Sequence, residues 1–269
     1  MSRLKAKVIW ITGASSGLGE ALTYELAKLG GRLIISSRNK AQLDIVKGNC
    51  HPLAQPEIRV LPLDLGETST LALCVEAAIQ MFGHVDILIN CGGISQRGFA
   101  RQTPLENDRR IMEVNYFGTI ALTKYLLPYF ISQKGGHFVT ISSLTGHIGT
   151  PSRTAYAASK HALHGFFESF RAELWREYRD MIRVTMICPG YIRTNITLHA
   201  LNFDGRKFGK NDDLHEKAMS ARKFAHKAIR AIEKRKDEIY IGGKEVLGVY
   251  LKRFFPRIFR RIVRKVRVA

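Results

Sequence analysis

The chain has 269 residues, and its 42 basic and 23 acidic side chains give a formal net charge of +19. A hydrophobic fraction of 45% with 14 Phe excludes a disordered basic protein, and the length fits one sizeable α/β domain. No stretch approaches about 18 apolar residues and the first strand starts close to Met1, so neither a signal peptide nor an N-terminal anchor is expected.

Apolar runs alternate with helical periodicity along the whole chain. Residues 7–11 read as a buried strand, 18–29 as a helix and 32–36 as a second strand. A short helix at 42–47, a strand at 58–61, a helix at 70–82 and a strand at 85–89 follow. A long helical region at 106–132 precedes a strand at 137–141, a helix at 154–178 and a strand at 182–187. Then come an irregular polar segment at 194–213, a helix at 215–234 and a last strand at 238–241. Strands regularly separated by helices imply an α/β fold with a parallel sheet flanked by helices on both faces.

The final segment differs in character. After Glu245 there is no acidic residue, whereas Lys252, Arg253, Arg257, Arg260, Arg261, Arg264, Lys265 and Arg267 put +8 in the last 24 residues. The other 245 residues carry +11. Phe254, Phe255, Ile258, Phe259, Ile262, Val263 and Val266 recur every three to four positions between the arginines. That is the pattern of a basic amphipathic helix, with Pro256 in its first turn. It suits an anionic membrane surface contacted through 252–267, or a helix packed on its own domain or at a subunit interface. The division expected is one domain over 1–245, with a substrate lid at about 190–213, and a basic extension over 246–269.

The run from Thr12 to Gly19 follows the first strand and opens the first helix. Gly13 permits the tight turn, Gly17 lets the backbone approach a pyrophosphate, and Gly19 allows helix and strand to pack closely. Ser15, Ser16 and Leu18 complete the loop. This context points to a doubly wound, dinucleotide-binding (Rossmann) domain, with a glycine-rich turn of another α/β protein as the alternative for this motif alone. At the end of the second strand an acidic residue would grip a ribose 2′-hydroxyl. Here Ser36, Ser37, Arg38 and Asn39 stand instead. Arg38 offers a planar cationic fork to a 2′-phosphate, with Ser15 as a second donor, so NADP(H) is expected rather than NAD.

Tyr156 and Lys160 lie four apart on a predicted helix and share a face. A phenol alone is a poor proton donor or acceptor near neutral pH, and a neighbouring ammonium favours its charged form. Ser143, thirteen residues before Tyr156, could hydrogen-bond a substrate carbonyl and hold it at the phenol.

These features, with Asn90-Cys91-Gly92-Gly93, Asn115 and Pro189-Gly190 in this order, resemble the short-chain dehydrogenase/reductase family over residues 5–243. The resemblance implies a catalytic tetrad of Asn115, Ser143, Tyr156 and Lys160. In it the tyrosine is the acid/base, the serine orients the carbonyl and the lysine also holds the nicotinamide ribose. The asparagine supports a water-linked proton relay. The resemblance further implies that Asp64, followed by Leu65, meets the adenine amino group. Asn90 and Gly92 would support the cofactor cleft, and Pro189, Gly190, Ile192 and Thr194 would flank the nicotinamide. The family's usual Asn-Asn-Ala-Gly is Asn90-Cys91-Gly92-Gly93 here. Homodimers or homotetramers built on the helices of Asn115 and Tyr156 are implied as well.

The nine histidines show no ligand spacing, and the four cysteines form no C-x-x-C pair, so no metal is expected. His161 and His164 read as packing or surface residues and Ser142 as structural; His147, in the loop after Ser143, reads first as carrying no chemistry, with contact to substrate as the lesser alternative. The lid mixes Tyr191, Ile192, Ile196, Leu198, Leu201 and Phe203 with Arg193, Arg206, Lys207 and Lys210. Apolar residues suit a chain or ring system and basic ones an acidic group. The stretch 156–195 looks closest to a membrane-associated branch with acyl-dihydroxyacetone-phosphate reductase-like and 11β-hydroxysteroid dehydrogenase-like members. The function expected is NADP(H)-dependent interconversion of a ketone and a secondary alcohol on a lipid-like substrate. The location expected is cytoplasmic, peripheral to a membrane where the tail binds one. One alternative is reduction of 3-oxoacyl groups on an acidic carrier. Another is a catalytically silent dinucleotide-binding scaffold whose tail binds membrane or nucleic acid, although nucleic acid is disfavoured by the intact tetrad.

Overall fold

The computed structural model describes residues 2–209 and 218–266. The first half runs β1 (Val8–Thr12), α1 (Gly17–Lys28), β2 (Arg32–Ser36), α2 (Lys40–Gly48), β3 (Ile58–Val60), α3 (Leu71–Phe82) and β4 (Ile87–Asn90). Next come β5 (Gln96–Arg97), α4 (Leu105–Met112), α5 (Gly118–Ser132), β6 (Gly136–Ile141), α6 (Thr154–Tyr178) and β7 (Ile182–Pro189). The remainder is β8 (Ile192–Arg193), β9 (Leu201–Asn202), β10 (Met219–Ser220), α7 (Ala221–Glu233), β11 (Glu238–Ile241), α8 (Leu247–Phe254) and α9 (Pro256–Val263).

Seven strands form one sheet in the order β3-β2-β1-β4-β6-β7-β11, with every pairing parallel. The alternation of β side chains supplies a core to each face. Along β1, Ile9 and Ile11 join a layer with Leu22, Leu26, Phe224 and Ile232 from α1 and α7. Val8 and Trp10 join the opposite layer with Leu122, Phe130, Phe167 and Leu174 from α5 and α6. Trp10 is fully buried, and its indole N–H donates to Ser36 Oγ at 2.9 Å, so burial leaves no polar atom of that ring unpaired.

Three segments depart from the expected pattern. The helical region at 106–132 is interrupted by a π-helical turn over Glu113–Phe117, where each widened turn holds an extra residue. The helix expected at 215–234 starts at Ala221, because Met219 and Ser220 pair with β8 and Ser220 Oγ caps the helix by accepting from Lys223 N. His215 to Lys217 of that expectation lie outside the described residues. The C-terminal pattern forms two helices rather than one, because Pro256 lacks an amide donor and restarts the chain after a break at Phe255. Arg267 lies outside the described residues. Among the described residues no helix is long and apolar enough to cross a membrane.

Candidate functional site

β1 sits between β2 and β4, so the chain leaves the sheet centre in opposite directions at their carboxyl ends. A cleft of about 1180 Å³ opens there, as the topology requires. Gly13, Ser15, Ser16, Gly17, Leu18 and Gly19 line its floor at the start of α1. Gly13 adopts φ +66°, and a Cβ there would stand 2.7 Å from Gly92 Cα. A Cβ at Gly19 would stand 2.3 Å from Gly13 O, so this glycine is required for the helix to reach the strand end. No side chain caps the first amides of α1, which leaves its N-terminus suited to an anion. The cradle therefore fits a pyrophosphate, and the cleft exceeds the volume of about 300–1,000 Å³ common for small-molecule sites.

At the β2 end, Ser37, Arg38, Asn39 and Gln42 form one wall of the cleft and Leu63, Asp64 and Leu65 the other. The Arg38 guanidinium lies 3.9 Å from the Asp64 carboxylate, and both remain open to solvent. Asp64 Oδ1 accepts from Gly66 N at 2.9 Å, which fixes the turn after Leu63. Thr12 Oγ1 accepts from both Cys91 N and Gly92 N at 3.1 Å, joining β1 to the β4 loop. Burial pushes the Cys91 thiol up to about 12, so this departure from the family pattern is a neutral, small side chain.

Ser143, Tyr156 and Lys160 meet at the far end of the same cleft, beside Pro189, Gly190, Ile192 and Thr194. Ser143 follows β6, its extended backbone capping a short 3₁₀ turn through Thr145 N to Oγ at 3.1 Å. Lys160 is buried, donates from Nζ to Ile141 O at 3.0 Å, and holds its ammonium 5.8 Å from the Tyr156 ring centre. Asn115 is fully buried in the π-turn and does not line the cleft. Its amide accepts from Ile94 N at 2.8 Å and donates to Ile94 O at 2.9 Å and to Ser159 Oγ at 3.0 Å. It therefore ties the β4 loop to α6 directly behind Tyr156 and Lys160. Asn90 likewise lies under the cleft rather than on it, donating to Thr123 Oγ1 on α5 at 3.2 Å.

Several contributors escaped sequence reading. Ser159 receives Asn115 and itself bonds Tyr156 O at 2.8 Å, and its only local signal is its place before Lys160. Gln96 Oε1 accepts Ala155 N at 2.9 Å and so anchors the first turn of α6. Glu245 Oε1 accepts from Tyr191 N and Gly243 N, both at 2.9 Å, and fixes the lid's first residues to the end of β11. The lid is less irregular than its composition implies, since β9 pairs with β5 and β8 with β10. Ile196, Leu201, Arg206 and Lys207 line the cleft from that side, while Lys210 lies outside the described residues. His147 does not reach the cleft: its Nε2 bonds Glu238 Oε1 at 2.8 Å. Ser142 Oγ bonds His164 Nε2 at 2.9 Å behind the Ser143 loop.

A seven-stranded parallel sheet with a glycine cradle at its switch point defines a doubly wound, Rossmann-like α/β protein. Residues 7–202 match the family model described as short chain dehydrogenase, and the chain belongs to that family. It is 39% identical over 98% of its length to a dehydrogenase/reductase SDR family protein 7-like of Drosophila melanogaster, covering 81% of that relative. It is 40% identical to dehydrogenase/reductase SDR family member 7B of Bos taurus, over 95% of this chain and 80% of the relative. The Homo sapiens dehydrogenase/reductase SDR family member 7 is 41% identical over 93% of this chain and 74% of its own. Among solved structures, a short-chain dehydrogenase/reductase from Burkholderia phymatum in complex with NAD superposes with a TM-score of 0.83. That likeness spans 96% of both chains at 22% identity. A Burkholderia cenocepacia short-chain dehydrogenase in complex with NADP gives 0.77 over 98% and 99% at 23% identity. The protein is an oxidoreductase of this family.

Proposed function

We propose that the protein is an NADP(H)-dependent enzyme that interconverts a ketone and a secondary alcohol on an apolar, lipid-like substrate. The observation that carries this reading is the convergence of Ser143, Tyr156 and Lys160 at one end of a cleft whose other end is the glycine cradle. The nicotinamide, when bound, supplies or accepts the hydride. The chain's own residues do the rest. Ser143 donates a hydrogen bond to the substrate oxygen and holds it at the Tyr156 hydroxyl. Tyr156 delivers the proton that the forming alkoxide needs, or removes it in the reverse direction. Lys160 holds its Nζ 5.8 Å from the Tyr156 ring centre and so places a positive charge beside the reacting phenol, and Asn115 positions Lys160's helix by bonding Ser159.

The preference for NADP(H) is supported by Arg38 standing where the β2 end has Ser36 and Ser37 in place of an acid. The substrate class is supported by Ile94, Leu144, Ile148, Tyr191, Ile196 and Leu201 around the space beyond Tyr156. The tail fits a bilayer-borne substrate: Phe254 on α8, Phe255 at the break, and Ile258 and Ile262 on α9 are exposed among the arginines. Apolar side chains entering an anionic leaflet, with each nearby basic residue adding about 1 kcal/mol, would hold the enzyme at a membrane surface in the cytoplasm. Exposed Phe117, Tyr125, Tyr129 and Trp175 on and beside α5 and α6 support a homodimer or homotetramer.

Oxidation of NADPH across a panel of ketones tests the reaction, with turnover expected to rise from short to long-chain or ring-bearing ketones. Sedimentation with liposomes tests the tail. Binding is expected to anionic vesicles and to fall with salt, and equal binding to neutral vesicles would remove the electrostatic part of the reading.

A further inference from the structure

Outside the cleft, four side chains from separate parts of the chain aim their donor atoms at one point. His147 ends the Ser143 loop, His164 lies on α6 one turn beyond Lys160, Cys188 stands near the end of β7, and Glu238 opens β11. One ligand atom from each, an imidazole nitrogen, an imidazole nitrogen, a sulfur and a carboxylate oxygen, lies within 4.8 Å of all the others. Cys188 Sγ is 3.7 Å from His164 Nε2, 3.8 Å from Glu238 Oε1 and 4.0 Å from His147 Nε2. His147 Nε2 and Glu238 Oε1 are 2.8 Å apart. A tetrahedral ion with bonds of about 2.0–2.1 Å to nitrogen or oxygen and 2.3 Å to sulfur needs ligand separations of about 3.3–3.6 Å. The observed separations bracket that range.

We propose that His147, His164, Cys188 and Glu238 form a closed structural zinc site. The donor set decides the metal. Two imidazoles, a thiolate and a carboxylate suit a borderline-soft tetrahedral ion, whereas magnesium and calcium take oxygen ligands. All four positions come from protein, which is the arrangement of a structural rather than a catalytic ion. Hydrogen bonding alone accounts poorly for the cluster. The thiol approaches three acceptors and none closely, and the buried His164 Nδ1 has no hydrogen-bond partner. That nitrogen faces the Glu168 carboxylate at 3.7 Å, the kind of outer partner that orients a metal-bound imidazole. As the ion binds, Cys188 gives its thiol proton to solvent, the proton between His147 Nε2 and Glu238 Oε1 leaves that nitrogen for Nδ1 or solvent, and Ser142 yields the His164 lone pair it now engages.

The consequence is mechanical. The ion would pin α6, one turn from Lys160, and the loop four residues beyond Ser143 to the edge strand β11. None of the four ligands lines the cleft, so the site is independent of the proposed reaction.

The test is zinc content of the full-length protein after gel filtration, by plasma mass spectrometry, followed by replacement with cobalt(II). About one zinc per chain is expected, with a sulfur-to-cobalt charge-transfer band in the near ultraviolet. Cys188→Ser should abolish that band, and Glu238→Gln should weaken zinc retention while the far-ultraviolet circular dichroism stays unchanged. Stripping zinc should lower the thermal midpoint, and restoring zinc, but not magnesium, should recover it. Folded wild-type protein holding fewer than about one zinc in ten chains, even with excess zinc added, overturns the proposal. So does bound cobalt without a sulfur band, a result that does not depend on any variant folding.

Discussion

The two ends of the cleft are built on different principles. The dinucleotide end consists of strand termini and glycines whose neighbours leave no room, as at Gly13 against Gly92 and Gly19 against its own turn. The substrate end is covered by a lid held through two-residue pairings, β5 with β9 and β8 with β10, and by single bonds such as Glu245 to Tyr191. A rigid, over-determined cradle fixes which chemistry is possible. A lid held by a few local contacts can change its lining without disturbing that cradle, so specificity is free to vary where the reaction is not. The residues proposed for catalysis stand at the seam, with Asn115 buried in the rigid part and Ser143 and Tyr156 half-buried at the lid.

The largest expected effect tests that seam. Tyr156→Phe removes one hydroxyl and should lower turnover by about 10²–10⁴-fold with NADPH binding retained, as read by steady-state kinetics beside cofactor fluorescence titration. Loss of NADPH binding as well would show that the seam and the cradle are not separable.

Acid should strike the rigid sheet. His137 on β6 is buried beside Thr185, and burial, aided by Arg235 and Arg183, holds it at about 4. An unfolded chain takes up this proton near about 6.5, so the contribution is whole above that pH and lost as pH falls toward 4. On the order of 3 kcal/mol should disappear across that window. Urea midpoints measured across it should fall steeply for the wild type and less steeply for His137→Gln.

Arg38→Ala isolates cofactor choice within the rigid end. Loss of a charge-assisted bond worth about 1.5–3 kcal/mol should raise the NADPH Kd by about 10- to 100-fold and leave the NADH Kd within about twofold. Equal weakening of both would assign Arg38 to the shared pyrophosphate or to its pairing with Asp64. The smallest effect belongs to the lid. Ile196→Ala should shift KM values among ketones by up to about tenfold, with thermal midpoint and NADPH affinity unchanged.

The same contrast explains what the sequence made legible. The strand-loop-helix at Val8 to Lys28 and the order of Ser143, Tyr156 and Lys160 are local, so spacing displays them directly. The π-turn that buries Asn115 is not visible, because periodicity marks 106–132 as continuous helix and only packing selects the wider turn. The start of α7 is not legible either, because the helical pattern runs upstream of Ser220, whose cap and strand pairing decide the boundary. His147 and Glu238 are separated by 91 residues and meet only because β11 lies beside β7. No motif spacing records that adjacency, and their convergence with His164 and Cys188 is a property of sheet order.

The central claim is that this cleft moves hydride between a nicotinamide and a substrate carbon while Tyr156 handles the proton. NADPH deuterated at its transferable ring position, incubated with a long-chain or ring-bearing ketone, tests it most directly. Mass spectrometry should find the deuterium on the carbinol carbon of the product with wild-type protein, and at least about a hundredfold less of it with Tyr156→Phe over the same interval. Saturated NADPH binding with no deuterium in any alcohol across the ketone panel, or equal transfer by Tyr156→Phe, would contradict the account.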